Sequence, residues 1–232
     1  VMERKPFSVG VRIEHPQRQV DQAQYGRAAR HPALGAADYR LAVHLPDGRG
    51  VYTFCMCPGG TVVAASSEED GVCTNGMSRF ARDGENANSA LLVDVRPDDL
   101  EGDDVLAGVA FQRCLERAAY QVAREAGGAA YAAPAQTVGD FVAGRAGTPS
   151  PTVRPTYPRG VAWCDLRECL PPFVSDALTA ALPLLDAKLR GFADADAVMT
   201  GVETRSSSPV RIVRDGQFQA RLEASRVSGA GA

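Results

Sequence analysis

Over residues 8–14 apolar and polar side chains alternate, with Val9, Val11 and Ile13 set against Ser8, Gly10, Arg12 and Glu14. A period of two predicts a half-buried strand, one face in the core and the other in water. His15-Pro16 closes it, and Pro16 is placed to open a short helix through Val20 and Ala23 to Gly26. From Tyr39 to Val95 the pattern stays that of strands. YRLAVHL alternates Leu41, Val43 and Leu45 with other residues and runs into the turn Pro46-Asp47-Gly48. GVYTFCMC and TVVAAS flank Pro58-Gly59-Gly60, which predicts a hairpin, since glycine reaches positive φ without steric cost. GVCTNGM and SALLVDV complete the expected antiparallel sheet. Between them RFARDGENAN is too polar and too rich in Gly and Asn for a strand.

After Pro97 the period lengthens. Leu106, Ala110, Cys114, Ala118 and Val122 recur every four residues, with Asp103 and Asp104 where a helix N-terminus favours carboxylates and Gly127-Gly128 as a stop. A shorter helix is expected from Thr137 to about Ala143. Residues 145–160, rich in Gly, Pro, Thr and Ser, read as an exposed connection. Ser175 is expected to cap a helix whose Leu178, Leu182, Leu185 and Leu189 share a face, with Pro183 as a kink or break. Two short strands, AVMTGVETR and PVRIVRD, close the pattern. The expected fold class is α+β, a mostly antiparallel sheet with helices after it. Residues 1–215 form one domain in this reading, and 216–232 a tail.

Composition narrows the function classes. A net charge of -3 with 23% charged residues gives no reason to expect nucleic acid as a partner. The acidic run Asp94, Asp98, Asp99, Glu101, Asp103 and Asp104 reads as a solvated lead into a helix. No apolar run approaches a membrane span, and VMERKPFSVG lacks the build of a signal peptide, so no membrane partner and a cytoplasmic location are expected. The six cysteines include no CxxC, and the three histidines show no ligand spacing, so reduced thiols and no metal are expected. Cys55 and Cys57, two apart on a strand, face one side and cannot close easily into a disulfide.

No G-x-G-x-x-G, GxSxG, HExxH or P-loop occurs, so a self-contained dinucleotide enzyme is not expected. What stands out is a run of Gly-punctuated polar segments. Cys57, Pro58, Gly59 and Gly60 would let another backbone or a flat ring approach closely. Asn75, Gly76 and Met77 read as a second turn. Arg82, Asp83, Glu85, Asn86, Asn88 and Ser89 put many hydrogen-bonding groups into one loop, and Glu203, Thr204 and Arg205 end a late strand. Arg205 is a candidate clamp for a carboxylate or phosphate; Glu14-His15 is a candidate acid/base pair. By residue type alone these segments fit ordinary turns and a wet loop as well as they fit a site.

KPFSVGVRIEHPQ with the following VDQAQYG, LGAADYRL, GVYTFCMCPGGTVVAASSEEDGVCTNGMS, ARDGENANSALLV and GVETRSSSPVRI together span nearly the whole chain. In them the sequence resembles a family of bacterial FAD-dependent oxidoreductases, often called FAD-dependent dehydrogenases. The resemblance implies a two-part flavoprotein: a Rossmann-type domain first, an inserted substrate-side (cap) domain, and a glycine-rich return to the flavin. It places this chain in the inserted part, with FAD in the intact protein, none expected to stay on the fragment, and the fragment alone inactive. The implied partners are the FAD-binding domain of the same protein and a small-molecule substrate. The segments named above become the flavin- or substrate-facing turns, expected to gather on one edge. The alternative is a stand-alone binding or interaction module without flavin.

Overall fold

The computed structural model describes residues 1–220. A short strand, β1 (Met2–Arg4), precedes the long β2 (Phe7–Pro16), and Pro16 leads into helix α1 (Gln17–Tyr25), which Gly26 ends at φ 55°. β3 (Ala42–His44), β4 (Gly50–Cys57), β5 (Gly60–Ala64), β6 (Thr74–Ser78) and β7 (Asn86–Val95) follow. Next come α2 (Ala107–Glu125), β8 (Ala133–Thr137), α3 (Val138–Ala143), β9 (Val161–Trp163), α4 (Pro172–Asp186), β10 (Val198–Glu203) and β11 (Val210–Ile212). The main sheet has seven strands in the order β3-β4-β7-β2-β10-β8-β9, antiparallel except for the β8–β9 pair. The fold is α+β.

β2 is central and departs from the half-buried expectation: Phe7 through His15 are buried on both faces. Val9, Val11 and Ile13 meet the apolar layer, where α4 buries Leu178, Leu182 and Leu185, the stripe its spacing predicts. The other face carries Arg12 and Glu14, which β7 extends with Asn88 and β10 with Thr200, all fully buried. Alternation records which residues share a face. It does not record that something polar covers the second face.

That cover comes from two segments the periodicity misplaces. Pro58-Gly59-Gly60 is a turn but joins no hairpin. β4 pairs with β3 and β7, while the chain leaves the sheet at Cys57 and forms a separate two-stranded sheet from β5 and β6. Asn75-Gly76-Met77 is accordingly not a turn: the residues lie in β6, paired with Val63, Val62 and Thr61. Residues 145–160 are not simply an exposed connection either, since Val153 and Tyr157 are buried and Thr156 bonds to Glu14. The polar run 86–88 belongs to β7, because its amides serve the buried polar layer instead of solvent.

The helices show similar shifts. α2 buries Gly108, Gln112, Leu115, Glu116, Ala119, Val122 and Ala123, while Leu106, Ala110 and Cys114 of the expected stripe are exposed. The buried stripe includes Gln112 and Glu116, which bond to residues 204 and 205, and hydropathy discounts such residues. Ser175 is no cap; α4 starts at Pro172, and Ser175 donates back to the Pro171 carbonyl. Pro183 stays within the last turn of α4. α3 begins as expected, with Thr137 Oγ1 accepting from the Asp140 amide. β8 and β9 are strands that the periodicity did not announce. β10 and β11 do not pair with one another; β11 pairs with β1. The tail expected over 216–232 falls mostly outside the described residues, and residues 216–220 are exposed.

Candidate functional site

Arg12 organises the polar layer, and nothing in its sequence context singled it out. Its guanidinium is fully buried and all five N–H donors are used. Nε donates to Glu203 Oε2 at 2.7 Å and Nη2 to Glu203 Oε1 at 3.3 Å and Asn75 Oδ1 at 3.0 Å. Nη1 donates to the Cys55 carbonyl at 2.7 Å and to Asn88 Oδ1 at 3.3 Å. One side chain therefore ties together β2, the bulge of β4, β6, the start of β7 and the end of β10. A bulge in β10 between Gly201 and Glu203 turns the Glu203 side chain to Arg12's face. A second bulge, between Phe54 and Cys57, holds Cys55 at φ 46° with its carbonyl turned in to Arg12.

Four segments far apart in sequence thus converge, though their members are largely spent on one another. Asn75, Asn88 and Glu203 hold Arg12. Asn86 donates to Glu14 Oε1 at 3.1 Å and to the Arg154 carbonyl at 2.9 Å. Thr204 donates to Glu116 Oε1 at 2.5 Å, and Arg205 forks onto the same carboxylate, with Nε to Oε1 at 2.7 Å. The acid that Arg205 clamps is therefore Glu116 of this chain, not a ligand. The opening read at Gly59 for a second backbone or a flat ring is taken by a backbone: a Cβ there would lie 2.0 Å from the Arg82 carbonyl oxygen. Gly84 N donates to Gly59 O at 3.1 Å. Ser78 donates to the Pro58 carbonyl, and Gly60 pairs with Ser78. A Cβ on Gly76 would fall 2.2 Å from Asn88 Oδ1, so bare β6 backbone forms the lid over the cluster. Met77, Arg82 and Asp83 remain exposed on the rim, joined by Phe54 and Cys55.

Charge in this layer is strongly perturbed. Burial pushes the Glu203 carboxyl up to about 7, against the opposing pull of Arg12. Burial likewise raises Glu14, although Thr156 and Asn86 hydrogen-bond to it. The Cys57 thiol is pushed up to about 11 by burial, which disfavours thiolate chemistry. Cys55 and Cys57 do not face one side as a regular strand would have them: after the bulge Cys55 is exposed and Cys57 buried. Glu14 and His15 point to opposite faces of β2 and form no pair; His15 Nε2 donates to the Phe192 carbonyl at 2.8 Å. Because the folded-state pKa of Glu203 lies above its ordinary value, the native state binds the extra proton between about pH 4.5 and 7. Its contribution to stability is present below the ordinary carboxylate value and is lost as pH rises through about 7. Urea midpoints measured across this range should fall more steeply with pH for the parent than for Glu203→Gln; parallel slopes would contradict the assignment.

Beside the cluster a groove of about 640 Å³ opens along β3 and β4, bordered by Arg40, Tyr52, Phe54, Cys55, Ser206 and Ser207 among others. Arg12, Glu116 and Gln17, whose Oε1 accepts from the Gly59 amide at 2.7 Å, are the anchoring residues the sequence reading missed, while Glu14, read there as half of an acid/base pair, anchors Thr156 and Asn86. The available signal was the recurrence of Arg12, Glu14, Asn86, Asn88 and Glu203 in or beside strand-like runs.

Among the described residues no helix is long and apolar enough to cross a membrane. A protein of Clostridium beijerinckii, carried under the words "Uncharacterized protein", is 48% identical over 229 residues, 98% of this chain and 42% of its own length. The chain thus spans less than half the length of that relative. The family model described as "FAD-dependent protein, C-terminal domain-like" matches residues 6–206, which takes in the whole seven-stranded sheet and the Arg12 cluster. The described residues do not fit the pyrophosphate half of FAD. The first amide of α1, Gln17 N, donates to Glu85 O, that of α2, Ala107 N, to Asp104 O, the Asp140 amide of α3 to Thr137 Oγ1, and α4 opens on Pro171-Pro172. Among the described residues no glycine-rich loop leads into a helix start. With a match across most of its length, the chain belongs to the family of FAD-dependent protein C-terminal domain-like proteins.

Proposed function

We propose that residues 1–215 are the substrate-side cap of a FAD-dependent oxidoreductase of the dehydrogenase type, closing over a flavin whose phosphates are held by another part of the same protein. The observation that supports this most is the convergence of the segments at 55–60, 75–77, 82–88 and 203–205 around one buried arginine. A buried ion pair with a full set of hydrogen bonds contributes little net stability and much positional definition. Here the positions defined are those of the rim residues Phe54, Cys55, Met77 and Arg82. In this reading Arg12 and Glu203 are positioning residues. The rim excludes water from the reacting face of the flavin and orients a small-molecule substrate. FAD, when bound, supplies the redox chemistry; this chain's own groups bind and exclude.

The test uses the longer protein with FAD bound. Met77→Ala and Arg82→Ala should each raise quenching of flavin fluorescence by neutral acrylamide several-fold while leaving flavin content unchanged. Quenching equal to the parent in both variants would sink the cap reading. Met77 and Phe80, 62% and 107% exposed, also suit the alternative of a stand-alone interaction module. That alternative predicts that the chain captures a second protein, and that full-length material carries no flavin.

A further inference from the structure

The groove beside the Arg12 cluster has a one-sided chemistry. Its residues include one cation, Arg40, and no acid. Arg40 borders the groove, is exposed and makes no hydrogen bond or ion pair among the described residues, so its fork of donors is unspent. Next to it lie two rings, the half-exposed Phe54 and Tyr52, whose hydroxyl is engaged with Ser8 Oγ at 2.6 Å. Burial raises the Tyr52 phenol, which keeps it neutral beside an anion. Ser206 donates to the Ser8 carbonyl, and the Ser207 hydroxyl makes no bond among the described residues.

Three features distinguish this groove from an ordinary surface dip. Its volume of about 640 Å³ falls within the range of about 300–1,000 Å³ typical of small-molecule sites. Its wall contains Cys55, a non-glycine residue held in the left-handed region, and such strain persists where the surroundings over-determine it. The restraint is Arg12, which takes the Cys55 carbonyl on one side and Glu203, three residues before Ser206, on the other. The groove bordered by Pro16, Arg18, Asp21, Glu85 and Arg154 has no such bias, since it carries both signs of charge.

We propose that the groove along β3 and β4 binds a carboxylate with a flat apolar body, the carboxylate on Arg40 and Ser207 and the body over Phe54 and Tyr52. This names the substrate class of the cap and rests on that reading for the ligand being a substrate. Binding itself needs no flavin. The probe is benzoate, titrated into the 232-residue chain and followed by amide chemical shifts. Saturable shifts should centre on Arg40, Phe54 and Ser207. Arg40→Gln should weaken binding about tenfold or more, the worth of a charge-assisted hydrogen bond. Phe54→Ala, which leaves the charge in place, should weaken it by a smaller factor, and neutral benzamide should bind the parent no better than it binds Arg40→Gln. No saturable binding, shifts centred elsewhere, or equal affinity in Arg40→Gln overturns the proposal. If benzoate binds as expected while the flavin-quenching test fails, the ligand site stands and the cap reading falls.

Discussion

Arg12→Ala should lower the stability of the chain by about 3–5 kcal/mol, the range for removing one partner of a buried ion pair. Several losses combine. The Cys55 carbonyl, Asn75 Oδ1 and Asn88 Oδ1 lose their guanidinium donor, and a cavity opens beneath β6. Glu203 is left buried with no cation, though it escapes part of that cost by holding its proton, since burial already carries it to about 7 with Arg12 present. Removing Arg12 raises that carboxyl further, so the variant keeps a proton the parent has released, and the loss should grow as pH rises above about 7. Urea unfolding of Arg12→Ala, Glu203→Gln and the double variant closes a cycle, in which an interaction of at least about 1 kcal/mol is expected for groups in direct contact. A loss under about 1 kcal/mol for Arg12→Ala would show that the cluster does not hold the layer together.

Gly59→Ala should cost about 2–4 kcal/mol, from a left-handed residue acquiring a side chain and a methyl driven into neighbouring backbone. Gly59 sits at φ 50°, and its new Cβ would stand 2.0 Å from Arg82 O and 2.2 Å from its carbonyl carbon. Neither atom can give way as a side-chain tip can. The 82–84 segment must lift, breaking the bond from Gly84 N to Gly59 O and freeing the residues that lead into Asn86 and Asn88. Thermal unfolding reads the cost. Hydrogen exchange at residues 82–88 reads its location, and protection there equal to the parent would refute the close-approach account. In the longer protein the same substitution should disturb the rim without touching the groove at Arg40.

The helical and strand periods were legible where one face alone was buried. The Leu178, Leu182 and Leu185 stripe, the Gly26 stop, the short helix ending at Ala143 and the α+β class all followed from local pattern. Glu203, Asn75 and Asn88 were picked out as site residues, but for their place in turns and not for the arginine that joins them. Arg12 escaped notice because a polar residue between Val11 and Ile13 is the ordinary mark of a solvent-facing position. Only pairing with β7 and β10, and the fold of β5–β6 across the face, makes that position interior. Likewise PGG specified a tight turn without specifying which strands it would serve.

What the sequence determined by itself was short-range: which residues share a face, where the chain turns, and, through long matching segments, the family. Such properties depend on neighbours within a few positions, where steric and capping rules act. The tertiary structure alone decided that the second face of β2 is buried, that Arg205 is answered by Glu116, and that Gly59 receives Arg82. Those outcomes depend on contacts between residues as much as 191 apart in the chain, as for Arg12 and Glu203. No local period encodes them, because the free energy of burying a charge is set by whatever the rest of the chain brings to it.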